Sequence, residues 1–261
     1  MKNPSRRNKN IGTAKQGYKT QSKFQIPSSW YDSKTFYEKL GKTYQVTCEI
    51  EGQAILFIVE ITKKDSFHAC TIEDLERVLS KIPRKYIEGL TTFILRQPKS
   101  KEEIFSPVWG RLIYLYEFEK LTLPAVILES ANYSKKIIWD RKLSIDNQKE
   151  LLRLRADGYE IEEDKRQYKI TLSLENVRNT QLYRTLLHEI GHYYHYITTD
   201  SYIYERLTKT EKETFAHDFA DKLREELVDL GVIPFDRILT KENIERLGLD
   251  MTDFENAPPS V

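Results

Sequence analysis

The chain has 261 residues, enough for one large domain or two small ones. Its 41 lysines and arginines nearly balance its 40 aspartates and glutamates, so no overall charge draws it to nucleic acid or to a membrane surface. No apolar stretch approaches the roughly 20 residues of a membrane-spanning helix, and the N-terminus lacks the apolar core of a secretory signal. Two cysteines, Cys48 and Cys70, cannot build a disulfide framework, which predicts a reducing, cytoplasmic location.

Residues 1–29 differ from the rest of the chain in charge. They contain seven lysines and arginines, no acidic residue and few apolar ones. Such a segment cannot bury enough apolar surface to order itself, so we expect a disordered basic arm. A solubilising tail is the favoured interpretation, and weak contact with nucleic-acid phosphates is the alternative.

The next region is predicted to begin with a β-hairpin. Two runs rich in strand-forming residues, 43–50 and 53–61, flank the turn-forming pair Glu51 and Gly52. We therefore expect residues 30–70 to form either an extension of the main sheet or a small separate lobe.

Residues 71–261 are predicted to form one α+β domain. An amphipathic helix covers 71–82, capped by Thr71 and ended by Pro83. Further apolar and charged runs predict strands at 90–95, 111–118 and 124–128, a helix at 146–157 and a second hairpin at 159–174. In that hairpin, residues 168–175 alternate between polar and apolar side chains, as a half-buried strand does.

A short motif on the following predicted helix points to metal chemistry. His188 and His192 are four residues apart, so both imidazoles lie on one helix face and can reach the same Zn²⁺ ion. Glu189 lies about 100° around the helix, where it can take a proton from water without binding the metal. The motif is short enough to arise by chance, and a core helix holding two buried histidines is the alternative.

The surroundings of the motif favour the metal site. Residues 179–187 predict the front of a buried helix that continues through the motif. Its apolar stripe comprises Leu182, Leu186, Leu187, Ile190 and Tyr194. Gly191 costs about 1 kcal/mol relative to Ala inside a helix, which suggests that another backbone approaches closely there.

A third ligand is expected from a second helix that begins after Thr208 and ends near Leu230, with Gly231 as its C-terminal cap. Glu213 is the preferred candidate, because two histidines and one carboxylate form a common catalytic zinc site. Two alternatives remain open. Thr210 and Glu213 have the spacing of a capping box, and His217 is one turn further along the same helix.

Residues 180–224 resemble the ImmA/IrrE family of zincin metallopeptidases in two motifs, His188-Glu189-x-x-His192 and Glu213-x-x-Ala216-x-x-Phe219-Ala220. The resemblance implies that His188, His192 and Glu213 hold zinc and that Glu189 is the general base. It also implies a zincin-like domain over residues 71–261, with a mixed twisted sheet packed on the motif helix and a second ligand-bearing helix. Known members act in the bacterial cytoplasm and cleave a helix-turn-helix repressor.

Two features depart from the family pattern. His217 stands where the family usually has Asn, and 187 residues precede the first motif, more than most members carry. The repressor-cleaving substrate therefore does not follow from the resemblance. His195 shares a face with His188 but lies too far along the helix to bind the same metal. A tyrosine near the motif could donate to a tetrahedral intermediate; the candidates are Tyr193, Tyr194, Tyr196, Tyr202 and Tyr204.

Together these patterns predict a zinc-dependent endopeptidase that acts on a peptide or protein substrate, without a membrane partner. We expect the peptide to pair with an exposed strand edge, for which Ala125–Leu128 is the candidate. The first alternative is a non-catalytic zinc module, in which His217 or His195 completes a closed four-ligand site. The second is a protease toxin or effector with the same chemistry and a host or competitor substrate.

Overall fold

A computed structural model describes residues 39–99, 109–118 and 121–255. All of the described residues except Lys39 belong to one compact unit, which begins at Leu40. The basic arm predicted at 1–29 lies outside them. The described part is an α+β fold, and none of its helices has both the length and the apolar composition needed to cross a bilayer.

The strands of the described part form one mixed sheet and two smaller ones. They are β1 (Thr43–Ile50), β2 (Gln53–Glu60), β3 (Ser66–Phe67), β4 (Thr92–Arg96), β5 (Gly110–Phe118), β6 (Leu121–Glu129), β7 (Ala131–Asn132), β8 (Lys136–Asp140), β9 (Glu160–Glu163) and β10 (Gln167–Thr171). The main sheet has the order β1-β2-β4-β6-β5. Its two inner pairings are parallel and its two outer pairings are antiparallel. Strands β8, β10 and β9 form a second sheet, and β3 pairs with β7.

In the described part, helices lie between the strands along the chain and continue after β10. They are α1 (Ile72–Leu79), α2 (Arg84–Ile87), α3 (Ile145–Ala156), α4 (Leu174–Thr180), α5 (Leu186–Thr198), α6 (Ser201–Arg206), α7 (Lys209–Asp229) and α8 (Lys241–Arg246). A π-helical turn, Gln181–Thr185, joins α4 to α5, and a 3₁₀ turn covers Met251–Asp253. The motif helix is therefore the last part of one continuous helical run.

Several predicted elements are confirmed. Strands β1 and β2 form the expected hairpin, and its turn residues Glu51 and Gly52 have φ angles of 49° and 73°. Because β2 pairs in parallel with β4, the hairpin extends the main sheet. Thr71 caps α1, and Asp74 completes a capping box there. The predicted strands near 90, 111 and 124 appear as β4, β5 and β6.

The segment before the motif differs from the prediction. The strand predicted over 168–175 ends at Thr171, because the Ser173 side chain accepts the Asn176 amide and begins α4. Short hydroxyl side chains favour such caps over strand pairing. The helix predicted from 179 thus begins five residues earlier, at Leu174.

The predicted edge strand is also wrong. Ala125–Leu128 lies in β6, which pairs with β4 on one side and with β5 on the other. All four residues are buried, and an unbroken apolar run is typical of a strand covered on both faces. Within the described residues, the edge strands of this sheet are β1 and β5.

The main core lies between one face of the sheet and the helices. Phe57, Leu95 and Val126 from the sheet share it with Leu186 and Ile190 from α5. The opposite face carries a smaller apolar cluster that includes Ile58, Ile94 and Ile127. The motif helix is thus fixed by its apolar stripe against the sheet, next to the edge strand β5.

Candidate metal centre

Two helices carry the candidate ligands, and a glycine lets them approach each other. A Cβ atom on Gly191 of α5 would lie 3.0 Å from the Ala216 carbonyl oxygen and 3.0 Å from a Phe219 ring carbon, both on α7. Ala216 and Ala220 are buried along the same contact. The close backbone approach predicted at Gly191 is confirmed, and it brings α7 against the face of α5 that carries the histidines.

Three donor atoms meet where α5 and α7 pack together. The Nε2 atoms of His188 and His192 are 3.1 Å apart. A carboxylate oxygen of Glu213 lies 3.4 Å from the first of these nitrogens and 3.6 Å from the second. Among the described residues, these three form a cluster whose donor atoms all lie within 4.8 Å of one another.

The donor triangle has the size that a tetrahedral zinc site requires. Zinc bonds to imidazole nitrogen and carboxylate oxygen are about 2.0–2.2 Å long. Ligand atoms in a tetrahedron are about 1.6 times the bond length apart, so they should be separated by roughly 3.3–3.5 Å. The observed separations of 3.1, 3.4 and 3.6 Å lie around this value, so the residues present fit the ion.

Glu213 does not cap its helix. The capping box of α7 is formed by Thr208 and Glu211: Thr208 Oγ1 accepts the Glu211 amide at 3.2 Å, and the Glu211 carboxylate accepts the Thr208 amide at 2.7 Å. The alternative of a Thr210–Glu213 box is therefore wrong. Glu213 lies half a turn further along and points to the histidines.

Both histidines of the cluster are held in the neutral form. Burial, reinforced by the neighbouring His192 and His217, lowers the pKa of His188 to about 3. Burial is also the main cause that lowers the pKa of His192. Neutral imidazoles keep a free lone pair for a metal. The Nδ1 atoms of both rings are buried and face no hydrogen-bond partner within the described part of the chain.

Glu189 is buried beside the cluster and faces the sheet. Its carboxylate accepts a hydrogen bond of 2.8 Å from the backbone amide of Leu112 on β5. Burial raises the pKa of Glu189 to about 7, with Glu213 adding to the rise and the Leu112 amide opposing it. A carboxyl group with a pKa near neutrality is suited to accept and return protons at physiological pH.

The other two histidines on these helices have packing roles. The His217 ring lies 4.4 Å from the His188 ring, tilted by 38°, and stays outside the donor cluster. The His195 ring stacks on Phe215 at 3.9 Å and meets Tyr204 edge-on at 5.3 Å. His217 thus packs directly against His188 without joining the donor cluster, and His195 packs against Phe215 and Tyr204.

The tyrosines near the motif separate into different surroundings. Tyr193 donates to the Glu88 carbonyl at 2.7 Å, and Tyr194 packs against Tyr86 at 4.8 Å. Tyr204 meets Tyr114 of β5, and their hydroxyl oxygens are 2.6 Å apart. Tyr114 could not be singled out from the sequence, because a tyrosine within an apolar strand is an ordinary residue until the strand is placed beside the motif helix.

Comparison of the chain with protein-family models, with curated proteins and with solved structures finds no match in any of the three. The resemblance of residues 180–224 to the ImmA/IrrE family stays a prediction that rests on the two motifs. The function must therefore be inferred from the residues of the site and their geometry.

Proposed function

We propose that this chain is a zinc-dependent endopeptidase in which His188, His192 and Glu213 bind the metal and Glu189 is the general base. The observation that carries the proposal is the triangle of donor atoms, 3.1–3.6 Å apart, beside a buried carboxylate on the same helix. Two imidazoles with one carboxylate suit zinc, and this ligand set is typical of catalytic sites. When bound, zinc would polarise the scissile carbonyl and lower the pKa of water at its fourth position.

The chain supplies the proton chemistry through Glu189. Its raised pKa, about 7, lets it take a proton from the attacking water and later give it to the leaving amine. The Leu112 amide, 2.8 Å from its carboxylate, fixes the side chain at the boundary between α5 and β5. This backbone hydrogen bond limits the movement of the Glu189 side chain away from the attacking water.

The substrate is proposed to pair with β5 instead of the β6 segment expected from the sequence. In the described residues, β5 has a strand neighbour on one side only, and its Leu112 amide points away from β6 toward Glu189. An extended peptide added along this edge would pass directly over the general base and the donor cluster. Backbone pairing holds a peptide without demanding a particular side chain, which suits an endopeptidase.

The non-catalytic zinc module is the weaker alternative. It needs His217 or His195 as a fourth ligand, and neither belongs to the donor cluster: the His217 ring packs on His188 and the His195 ring stacks on Phe215. The resemblance to ImmA/IrrE proteins supports a cytoplasmic enzyme that cleaves a regulatory protein, and a toxin or effector protease would use the same site.

Hydrolysis of a randomised peptide library by the zinc-loaded protein tests the proposal, with products identified by mass spectrometry. Wild type should yield internal cleavage products, and Glu189→Gln should lower the rate by about 10²–10⁴-fold while zinc remains bound. His217→Ala is a matched control outside the donor cluster and should retain zinc. Equal turnover by wild type and Glu189→Gln, or no cleavage by the zinc-loaded wild type, would contradict the proposal.

A further inference from the structure

A pair of tyrosines lies next to the proposed active site, outside the three metal donors. Tyr114 of β5 and Tyr204 of α6 bring their hydroxyl oxygens to within 2.6 Å of each other. The Tyr114 ring also lies 4.6 Å from the ring of Tyr196, which is one turn after His192 on α5. The pair therefore joins the sheet edge to the end of the motif helix.

An irregularity in β5 directs Tyr114 toward this position. The register of β5 against β6 shifts between Ile113 and Tyr116. Such bulges bend a strand and re-aim its side chains, and they are frequent beside active sites. Leu115, within the shift, is 69% exposed, whereas Tyr114 turns to meet α6. Two residues earlier, the Leu112 amide contacts Glu189, so one short segment both orients the base and carries the phenol.

The hydrogen bond between the two tyrosine hydroxyls uses only one of their two protons. Two phenols carry two O–H groups, and the bond between them uses one. Tyr204 is buried, 6% exposed, between His195, Tyr196 and the Lys212 ammonium group, whereas Tyr114 is only partly covered. If Tyr204 donates to Tyr114, the Tyr114 O–H is free to donate to a substrate atom, and the accepted bond strengthens it as a donor.

Tyr114 also stays protonated in these surroundings. Burial raises the pKa of Tyr114, and the negative charges of Glu189 and Glu213 raise it further. A neutral phenol that cannot ionise is a permanent hydrogen-bond donor for developing negative charge.

We propose that Tyr114 is a catalytic residue that donates its hydroxyl hydrogen bond to the oxygen of the scissile carbonyl as negative charge develops on it, and that Tyr204 positions it. The phenol keeps its proton throughout, so the water proton still passes through Glu189. This inference rests on the proposed endopeptidase function. In it, the Tyr114 hydroxyl stabilises the transition state from the side of the site formed by the sheet.

The test compares three tyrosine variants of the zinc-loaded protein on one cleaved peptide. Tyr114→Phe should lower kcat by about 100-fold with KM changed less than about two-fold, because the bond strengthens only in the transition state. Tyr204→Phe should lower kcat by about ten-fold. Tyr196→Phe, whose ring contacts Tyr114 without the short hydroxyl contact of Tyr204, is the control and should leave kcat unchanged.

A binding measurement provides a readout that does not depend on turnover. A phosphinic peptide mimics the tetrahedral transition state, and its affinity measured by calorimetry should fall in Tyr114→Phe by about the same factor as kcat/KM. The affinity of the matched uncleaved peptide, measured in Glu189→Gln and in Glu189→Gln with Tyr114→Phe, should stay the same.

The outcomes separate this inference from the proposed function. A wild type that cleaves peptides while Tyr114→Phe retains full kcat and full phosphinic-peptide affinity would overturn the role of Tyr114 alone. A zinc-loaded wild type that neither cleaves peptides nor binds the phosphinic peptide would overturn both proposals.

Discussion

Two clusters of buried polar groups in this protein differ in how fully their hydrogen-bonding groups find partners. Asp74 is fully buried and accepts hydrogen bonds from the Thr71 amide, the Ile238 amide and two nitrogens of Arg178, at 2.9–3.1 Å. The cluster of His188, His192 and Glu213 instead directs three donor atoms at one another, and the outer nitrogens of both imidazoles lack partners within the described residues.

The difference separates a structural site from a candidate functional one. Around Asp74, the bonds from Arg178 and from the Ile238 amide join different elements, so the network holds α1, α4 and the segment after α7 together. Around His188, the same fold lowers the pKa of the imidazole by burial, and the hydrogen bond to the Glu189 carboxylate comes from a backbone amide, that of Leu112. Groups arranged in this way reduce stability unless a ligand is bound, which is a common property of active sites.

The largest expected effect on stability comes from breaking the satisfied cluster. Asp74→Ala leaves the buried Arg178 guanidinium unpaired and should lower the free energy of unfolding by about 3–5 kcal/mol. Asp157→Ala, which removes a partly exposed partner of Arg184, is the control and should cost about 1 kcal/mol or less. Denaturant unfolding of both variants checks the prediction, and equal losses of unfolding free energy in the two variants would contradict it.

His68 provides a pH-dependent version of the comparison, because it is a buried histidine outside the candidate site. Its Nε2 donates to the Glu60 carbonyl at 2.7 Å, and burial lowers its pKa to about 4. Below the unfolded-state pKa of 6.5, the unfolded chain binds a proton that the folded chain excludes, so stability falls as the pH drops.

As the pH falls from 7 to 4, protonation of His68 in the unfolded chain should lower the free energy of unfolding by about 3 kcal/mol. The measurement is denaturant unfolding of wild type and His68→Gln across this range, in which the glutamine amide can still donate to Glu60. The variant should lose about 3 kcal/mol less than wild type on acidification. Parallel pH profiles would show that His68 does not contribute.

Gly191→Ala tests the contact that creates the donor cluster. The added methyl would meet the Ala216 backbone at 3.0–3.1 Å, and overpacking of this kind costs about 1–3 kcal/mol. The higher helix propensity of alanine should offset about 1 kcal/mol of this loss in unfolding free energy. We expect a net loss of about 1–2 kcal/mol together with weaker zinc binding, because α7 and Glu213 must move away. A gain of about 1 kcal/mol with unchanged zinc affinity would contradict close helix packing.

The smallest effect is expected at the cap of α7. Thr208→Ala removes the side-chain acceptor of the Glu211 amide and should cost about 1 kcal/mol. Zinc content should not change, because the cap is separate from the donor cluster. Thermal unfolding and elemental analysis of the same sample check both parts, and loss of zinc would link the cap to the metal site.

Local patterns predicted much of this fold and the members of its candidate site. The hairpin around Glu51 and Gly52 follows from residues adjacent in sequence, and so does the cap at Thr71. The three donor residues follow from helical spacing and from the ligand preferences of zinc. These inferences need no knowledge of how distant strands are ordered.

The features that sequence could not predict depend on long-range pairing. Ala125–Leu128 could be placed in a strand, but only the partners β4 and β5 show that the strand is internal. Tyr114 becomes a candidate through its hydroxyl contact with Tyr204, which is 90 residues later in the chain. The choice between Glu211 and Glu213 as the capping residue required the hydrogen bond that Thr208 forms.

The most direct test of the central claim is the zinc content of three purified proteins, wild type, Glu213→Ala and Glu211→Ala, measured by elemental analysis. The two variants remove carboxylates half a turn apart on α7, one in the donor cluster and one in the cap. We predict one zinc per chain in wild type and in Glu211→Ala, and loss of zinc in Glu213→Ala. Equal zinc in all three proteins, or no zinc in wild type after addition of the metal, would contradict the assignment of His188, His192 and Glu213 as a zinc site.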